Sequence, residues 1–173
     1  MDSTRSCFSS RGQAGITDLF VAIAIFIVLI TITTLTWDLY NARLSSALDY
    51  DTMVVKAYHI TDTFVKSPGY PPDWEFQSNP ELTTSMIGLA SADHVLAASK
   101  VSKFAELSTT QYDAMRTILR LSLYDYYFVL RDTDQTVVYS AGKIPQGKFA
   151  VNLARLVVYQ GKPHVMEFAV WKP

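Results

Sequence analysis

The chain has 173 residues, of which 49% are hydrophobic and 18% charged, and its formal net charge is −1. That length suits one modest domain beside a membrane segment, and the near-neutral charge, with no long basic run and no aromatic-interleaved basic patch, argues against a nucleic-acid partner. The single cysteine, Cys7, excludes an intrachain disulfide, and His59, His94 and His164 lie too far apart in sequence for ligand spacing, so neither a metal nor another cofactor is expected.

The first predicted element is apolar. Residues 19–37 carry no charge, and at 1.5 Å per helical residue they span about 28 Å, the thickness of a bilayer's hydrocarbon. Threonines 31, 33, 34 and 36 dilute the second half, but threonine can bond back to its own helix. Trp37 and Tyr40 follow, where interfacial aromatics belong. Arg5 and Arg11 precede the run and Asp38 follows it, so the positive-inside rule places the short N-terminus in the cytoplasm and the bulk of the chain outside. TITTLTWDLY lacks the small-residue pattern of a secretory cleavage site. Cys7 lies before the run rather than after it, which excludes the lipoprotein pattern. A retained anchor is therefore expected. Asp18 stands at its very start, and a carboxylate beside such a run is costly unless it has a partner.

Arg11, Gly12 and Gln13, preceded by a short polar leader and followed by an acid and an apolar helix, resemble the class III signal peptide of archaeal type IV pilins. The resemblance implies that a prepilin peptidase cuts between Gly12 and Gln13, removing Cys7 with the leader. It implies that the helix is kept and becomes the core of an extracellular filament of sister subunits. The family acid is usually Glu at the fifth mature position; here that position is Thr17 and Asp18 is the sixth. Cleavage before Ala14 would restore the spacing and lose the Gly–Gln junction. The implied organisation is a leader over 1–12, a transmembrane and filament-core helix over 13–40, and an extracytoplasmic α+β domain over 41–173. A plain signal anchor with a chance Gly–Gln is the alternative.

No Pro or Gly interrupts residues 16–66. Leu44, Leu48, Val55, Tyr58 and Val65 recur at helical spacing with charges between them. The chain therefore predicts one nearly continuous helix of about 75 Å, apolar all round at first and then amphipathic, with that stripe packing on a domain. A break near Asn41 is the alternative. SPGYPPDW ends the helix through Pro68, Pro71 and Pro72, with Gly69 suited to a cap or turn. Tyr70 and Trp74 are predicted to pin this loop to the core or, failing that, to form a binding surface. In MIGLA, Gly88 suggests a tight turn or a close approach of backbones. SADHVLAASKVSKFAEL predicts one or two short helical turns. STTQYDAMRTILRL predicts a helix capped by Ser108 or Thr109, with Tyr112, Met115, Ile118 and Leu119 facing inward.

The remainder predicts strands. Residues 126–132 and 136–142 flank the turn formers DTDQ, and residues 149–159 and 164–171 flank QGKP. Two hairpins imply an antiparallel sheet of about four strands. The fold class is α+β: a long N-terminal helix, membrane stem plus amphipathic half, packed on that sheet, with short helices between. The blocks GYPPDW, MIGLA with VLAASKV, and RLVVYQGKP also resemble archaeal pilin-like proteins, a likeness that brings no activity with it.

Chemistry is sparse. Gly142, Gly147 and Lys148 have the spacing of a phosphate-binding loop, but Pro145 removes an N–H, Phe149 replaces the required hydroxyl, and a strand follows instead of a helix. Asp49 with Asp51 and Asp132 with Asp134 are acid pairs outside any full calcium-loop pattern. His59 and Asp62 share a helix face without a nucleophile nearby. No Asn-x-Ser/Thr sequon occurs. No enzyme is expected. The leading expectation is a structural pilin or pseudopilin subunit. Its processing residues are Gly12 and Gln13, its assembly residue is Asp18, and its partners are the prepilin peptidase, the membrane and sister subunits. The alternative is a membrane-anchored binding or sensor domain that never polymerises.

Overall fold

The computed structural model describes residues 10–77, 84–145 and 150–173, with side chains from Asp18 onward. Residues 1–9 of the leader, including Cys7, lie outside the described residues, as does the side chain of Gln13. The chain divides into two compact units, Met1–Leu48 and Asp49–Pro173. The architecture is α+β, as its sequence implies.

Helix α1 runs over Ser10–Lys66 without a break near Asn41. Nothing between Ile16 and Lys66 interrupts its hydrogen bonding, because Pro and Gly are absent. The hydroxyls of Thr31, Thr33 and Thr36 donate to the carbonyls of Ile27, Leu29 and Ile32, each at 2.8 Å, so these polar groups are satisfied inside the helix. In the first unit every side chain from Asp18 to Leu48 is exposed.

In the second unit the same helix buries one face: Met53, Ala57, Ile60, Thr61, Phe64 and Val65. This corrects the expected stripe. Val65 is buried, but Leu44 and Leu48 are exposed, as are Val55 at 67% and Tyr58 at 55%. Two apolar sets interleave on this helix at the same period, so periodicity alone does not choose between them. Shape chooses. Ala57 allows close approach, and Phe64 inserts edge-on against Phe104, Phe128 and Phe168 at centroid distances of 5.2, 6.2 and 5.7 Å. Tyr58 is covered instead by the Arg155 guanidinium, 4.7 Å above its ring.

The proline loop ends α1, as expected. Strand β1 (Gly69–Tyr70) pairs antiparallel with β2 (Met86–Ile87). Trp74 is fully buried and its Nε1 donates to the Gly88 carbonyl at 3.0 Å. It pins the loop, while Tyr70 stays in solvent. Gly88 is a close approach: a Cβ there would fall 2.1 Å from the Ser67 carbonyl oxygen.

Strands β3 (Ala90–Ala92) and β4 (Val95–Leu96) follow, then helices α2 (Ala98–Thr110) and α3 (Tyr112–Ile118). Four long strands complete the chain: β5 (Asp125–Asp132), β6 (Val137–Gly142), β7 (Ala150–Tyr159) and β8 (Lys162–Trp171). The main sheet has six strands in the order β3-β4-β7-β8-β5-β6. The four long strands are antiparallel, as their hairpins imply, and β4 adds parallel to β7.

Two local expectations change. The segment expected as helical turns begins instead as the β3–β4 hairpin, with His94 at φ 59 in its turn, and then forms the 13-residue α2. Ser108 and Thr109 do not cap a helix, because α2 runs through both. Ser108 is buried and accepts a bond from the Tyr126 hydroxyl at 2.9 Å, and Thr109 donates to the Ala105 carbonyl. Gln111 separates the two helices, and Met115 and Leu119 are buried beyond it as expected. The last hairpin is also tighter than QGKP suggested. Gln160 and Gly161, at φ 50 and 76, form the turn, and Lys162 and Pro163 already belong to β8.

Candidate functional site

Asp18 is exposed at the start of the apolar stretch. Residues 18–48 hold three charges, Asp18, Asp38 and Arg43, and among the described residues none of the three has an ion pair. Around them lie Leu19, Phe20, Ile23, Phe26 and Leu29, all large, apolar and open. The helix is long and apolar enough to cross a membrane, by length and composition. A shallow notch lined by Ile32, Thr33, Thr36, Trp37 and Tyr40 marks its second half. Gly12 and Gln13 fall within the helical backbone of α1, and the Gln13 side chain lies outside the described residues.

The second unit contains polar clusters that sequence reading missed. Asp125 is buried and accepts bonds from the Tyr112 hydroxyl at 2.9 Å and from Arg116 Nη1 at 3.1 Å. Lys143 Nζ lies 3.5 Å from its other oxygen and 4.6 Å from the centre of the Tyr112 ring. Burial first, and the bond to Asp125 after it, push the Tyr112 hydroxyl above its ordinary value. These bonds from Tyr112 and Arg116 to Asp125 tie α3 to β5.

The second cluster lies under the proline loop. Lys100 Nζ donates to the carbonyls of Pro68 at 2.5 Å and Pro72 at 2.7 Å. The Glu75 carboxylate is 3.9 Å away and nearly as buried. No sequence signal marks either cluster, because the partners come from separate loops and elements.

A cavity of about 120 Å³ opens between α1, β2 and the end of α3. Ile60, Phe64, Ile87 and Leu119 line its apolar floor, with His59, Ser85 and Arg120 among its polar groups. The Thr63 and Ser85 hydroxyls share this lining with the His59 imidazole, but Thr63 donates to the His59 backbone carbonyl, and among the described residues no hydrogen bond joins the imidazole to either hydroxyl.

The other sequence candidates disperse. Asp62 gives its carboxylate to Lys66 at 2.8 Å rather than to His59, and that bond holds Asp62 below the usual carboxylate range. Asp49 pairs with Lys172 at 2.7 Å. Asp132 accepts from the Thr133 amide at 2.7 Å within its turn. Among the described residues no group of three His, Cys, Asp or Glu could hold a metal ion. Of the phosphate-loop look-alike, Lys143 turns to Asp125, and Gln146, Gly147, Lys148 and Phe149 lie outside the described residues.

No protein-family model, no curated protein and no solved structure matches the chain.

Proposed function

We propose that this chain is a structural subunit, major or minor, of an archaeal type IV pilus-like filament, and not an enzyme. It is made as a single-pass precursor with its N-terminus inside and its C-terminal domain outside. Prepilin peptidase cuts between Gly12 and Gln13, and the retained helix packs against sister helices. Asp18 then meets a cation from a sister subunit, the amino group freed by cleavage being the first candidate, because an unpaired charge in an apolar bundle is heavily penalised.

One observation carries this reading. The helix that builds the outer domain's core extends N-terminally through a stretch in which every side chain from Asp18 to Leu48 is exposed and Asp18 has no ion pair among the described residues. Such a surface calls for lipid first and other helices afterwards. The Asp18→Ala variant should be processed normally and fail to assemble; normal filaments from it would overturn the reading.

A second reading, a non-polymerising anchored sensor or binding domain, draws on the small cavity with His59 and Arg120 at its edge. Sequencing the N-terminus of the mature protein separates the two. A start at Gln13 supports the subunit, and a start at Met1 supports the anchored domain.

A further inference from the structure

The cavity between α1, β2 and the end of α3 has two unlike sides. Ile60, Phe64, Ile87 and Leu119 are buried and form an apolar floor, while His59 and Arg120 are exposed and stand on its solvent side. Its volume of about 120 Å³ is close to the roughly 150 Å³ that holds a benzene ring in an apolar cavity. Arg120 is kept there against the preference of its backbone. It follows the last turn of α3 at φ 58, with its amide bonded to the Thr117 carbonyl at 2.9 Å and the Leu121 amide bonded to the Arg116 carbonyl at 2.8 Å. This helix ending favours glycine, since a Cβ is disfavoured at positive φ, so the turn itself supplies no reason for an arginine. Lys56 Nζ donates to the Arg120 carbonyl at 2.6 Å and brings a further cation to the same turn. Among the described residues, Lys56, His59 and Arg120 form no ion pair with a carboxylate. Asp62, on the same helix as His59, gives its carboxylate to Lys66.

We propose that this cavity binds a small carboxylate. Its compact apolar body, of about five or six carbons, fills the floor, and its charged group meets Arg120, with His59 as a second partner. Removing the body from water supplies affinity. The guanidinium supplies selection, because its planar fork of donors matches a carboxylate. A neutral molecule of the same size would leave the cationic side unused, and an acid as short as acetate would leave the floor unfilled. The two sides together call for both properties in one ligand. Every residue named belongs to the second unit. The site therefore goes beyond the filament reading and stands apart from it: a subunit in a filament and a chain that never polymerises would carry it alike.

The test is calorimetric titration of the full chain in detergent with benzoate, with its neutral counterpart benzamide, and with acetate. Benzoate should bind once per chain and about tenfold or more tightly than either of the others. Arg120→Gly should weaken benzoate about tenfold while leaving benzamide unchanged. The same variant should hold or raise the unfolding midpoint, because glycine suits that turn better, so a loss of binding cannot be laid to a damaged fold. Arg120→Lys should keep part of the benzoate affinity, since it keeps the charge without the fork. Absence of benzoate binding to the unaltered chain overturns the site. Equal affinity for benzoate and benzamide, or undiminished benzoate binding by Arg120→Gly, overturns carboxylate recognition and the proposal with it. None of these results bears on filament yield or on the mature N-terminus, so their failure leaves the filament reading standing.

Discussion

Phe26 and Phe64 belong to the same helix, 38 positions apart in number, and they occupy opposite situations. Phe64 is fully buried against three other rings; Phe26 is 62% exposed, as is every neighbour around it. The second unit satisfies its apolar residues from within its own chain. The first unit leaves them to whatever surrounds the molecule. The lesson is that the apolar content of a segment does not say where its partner is. In residues 49–173 the partner is the sheet; no described residue of the chain covers residues 18–48.

This contrast can be broken or sharpened by substitution and by pH. The largest effect is expected from Phe64→Ala, which should cost the second unit about 3–5 kcal/mol by removing a ring from a closed aromatic core. Thermal unfolding of the full chain in detergent, followed through its tryptophans, measures it. Lys100→Met should cost about 3 kcal/mol, because it strands the buried Glu75 carboxylate and two loop carbonyls. Limited proteolysis near residues 68–76 should reveal the loosened loop, and a loop that stays resistant would refute the clamp.

Alkali should act more weakly. Burial pushes the Tyr126 hydroxyl up to about 12, against the bond with Ser108 that lowers it, and burial with the Tyr139 bond pushes Tyr159 to about 12. Both values are raised, so their contribution is complete below about pH 10 and fades as the pH climbs toward 12. Tyr126→Phe should flatten that decline, which pH-dependent unfolding records. The smallest effect is expected from Phe26→Ala, which should leave the second unit's unfolding midpoint unchanged while, on the function proposed above, weakening filament assembly. A lowered midpoint would mean that the two units are not independent and would undo the contrast drawn above.

Much of the fold was legible, for identifiable reasons. The continuity of α1 follows from the absence of Pro and Gly, and the long hairpins from DTDQ and Gln160–Gly161. The buried face of α1 was not legible, because Val55 and Tyr58 have the same period as Met53, Ala57, Ile60 and Phe64 and greater apparent apolarity than Ala57. The β3–β4 hairpin hid because its two strands are only three and two residues long, too short for an alternating pattern to show around the Asp93–His94 turn. The boundary between α2 and α3 hid among Ser108, Thr109 and Thr110, any of which is a plausible cap on paper. Asp18 stood out as an acid against an apolar run, since its environment is local. Asp125 and Lys100 did not, since their surroundings are assembled from residues 9 to 32 positions away.

The threonines of α1 deserve a last consequence. By bonding to Ile27, Leu29 and Ile32, they make the helix self-sufficient in hydrogen bonds where it is otherwise hydrocarbon. A segment that asks nothing polar of its surroundings can change solvent without breaking a bond. Lipid tails, detergent or a sheath of other helices are then nearly interchangeable hosts, and the difference between them is left to packing and to the charges at either end. That portability is what a chain needs if it is to wait in one medium and work in another.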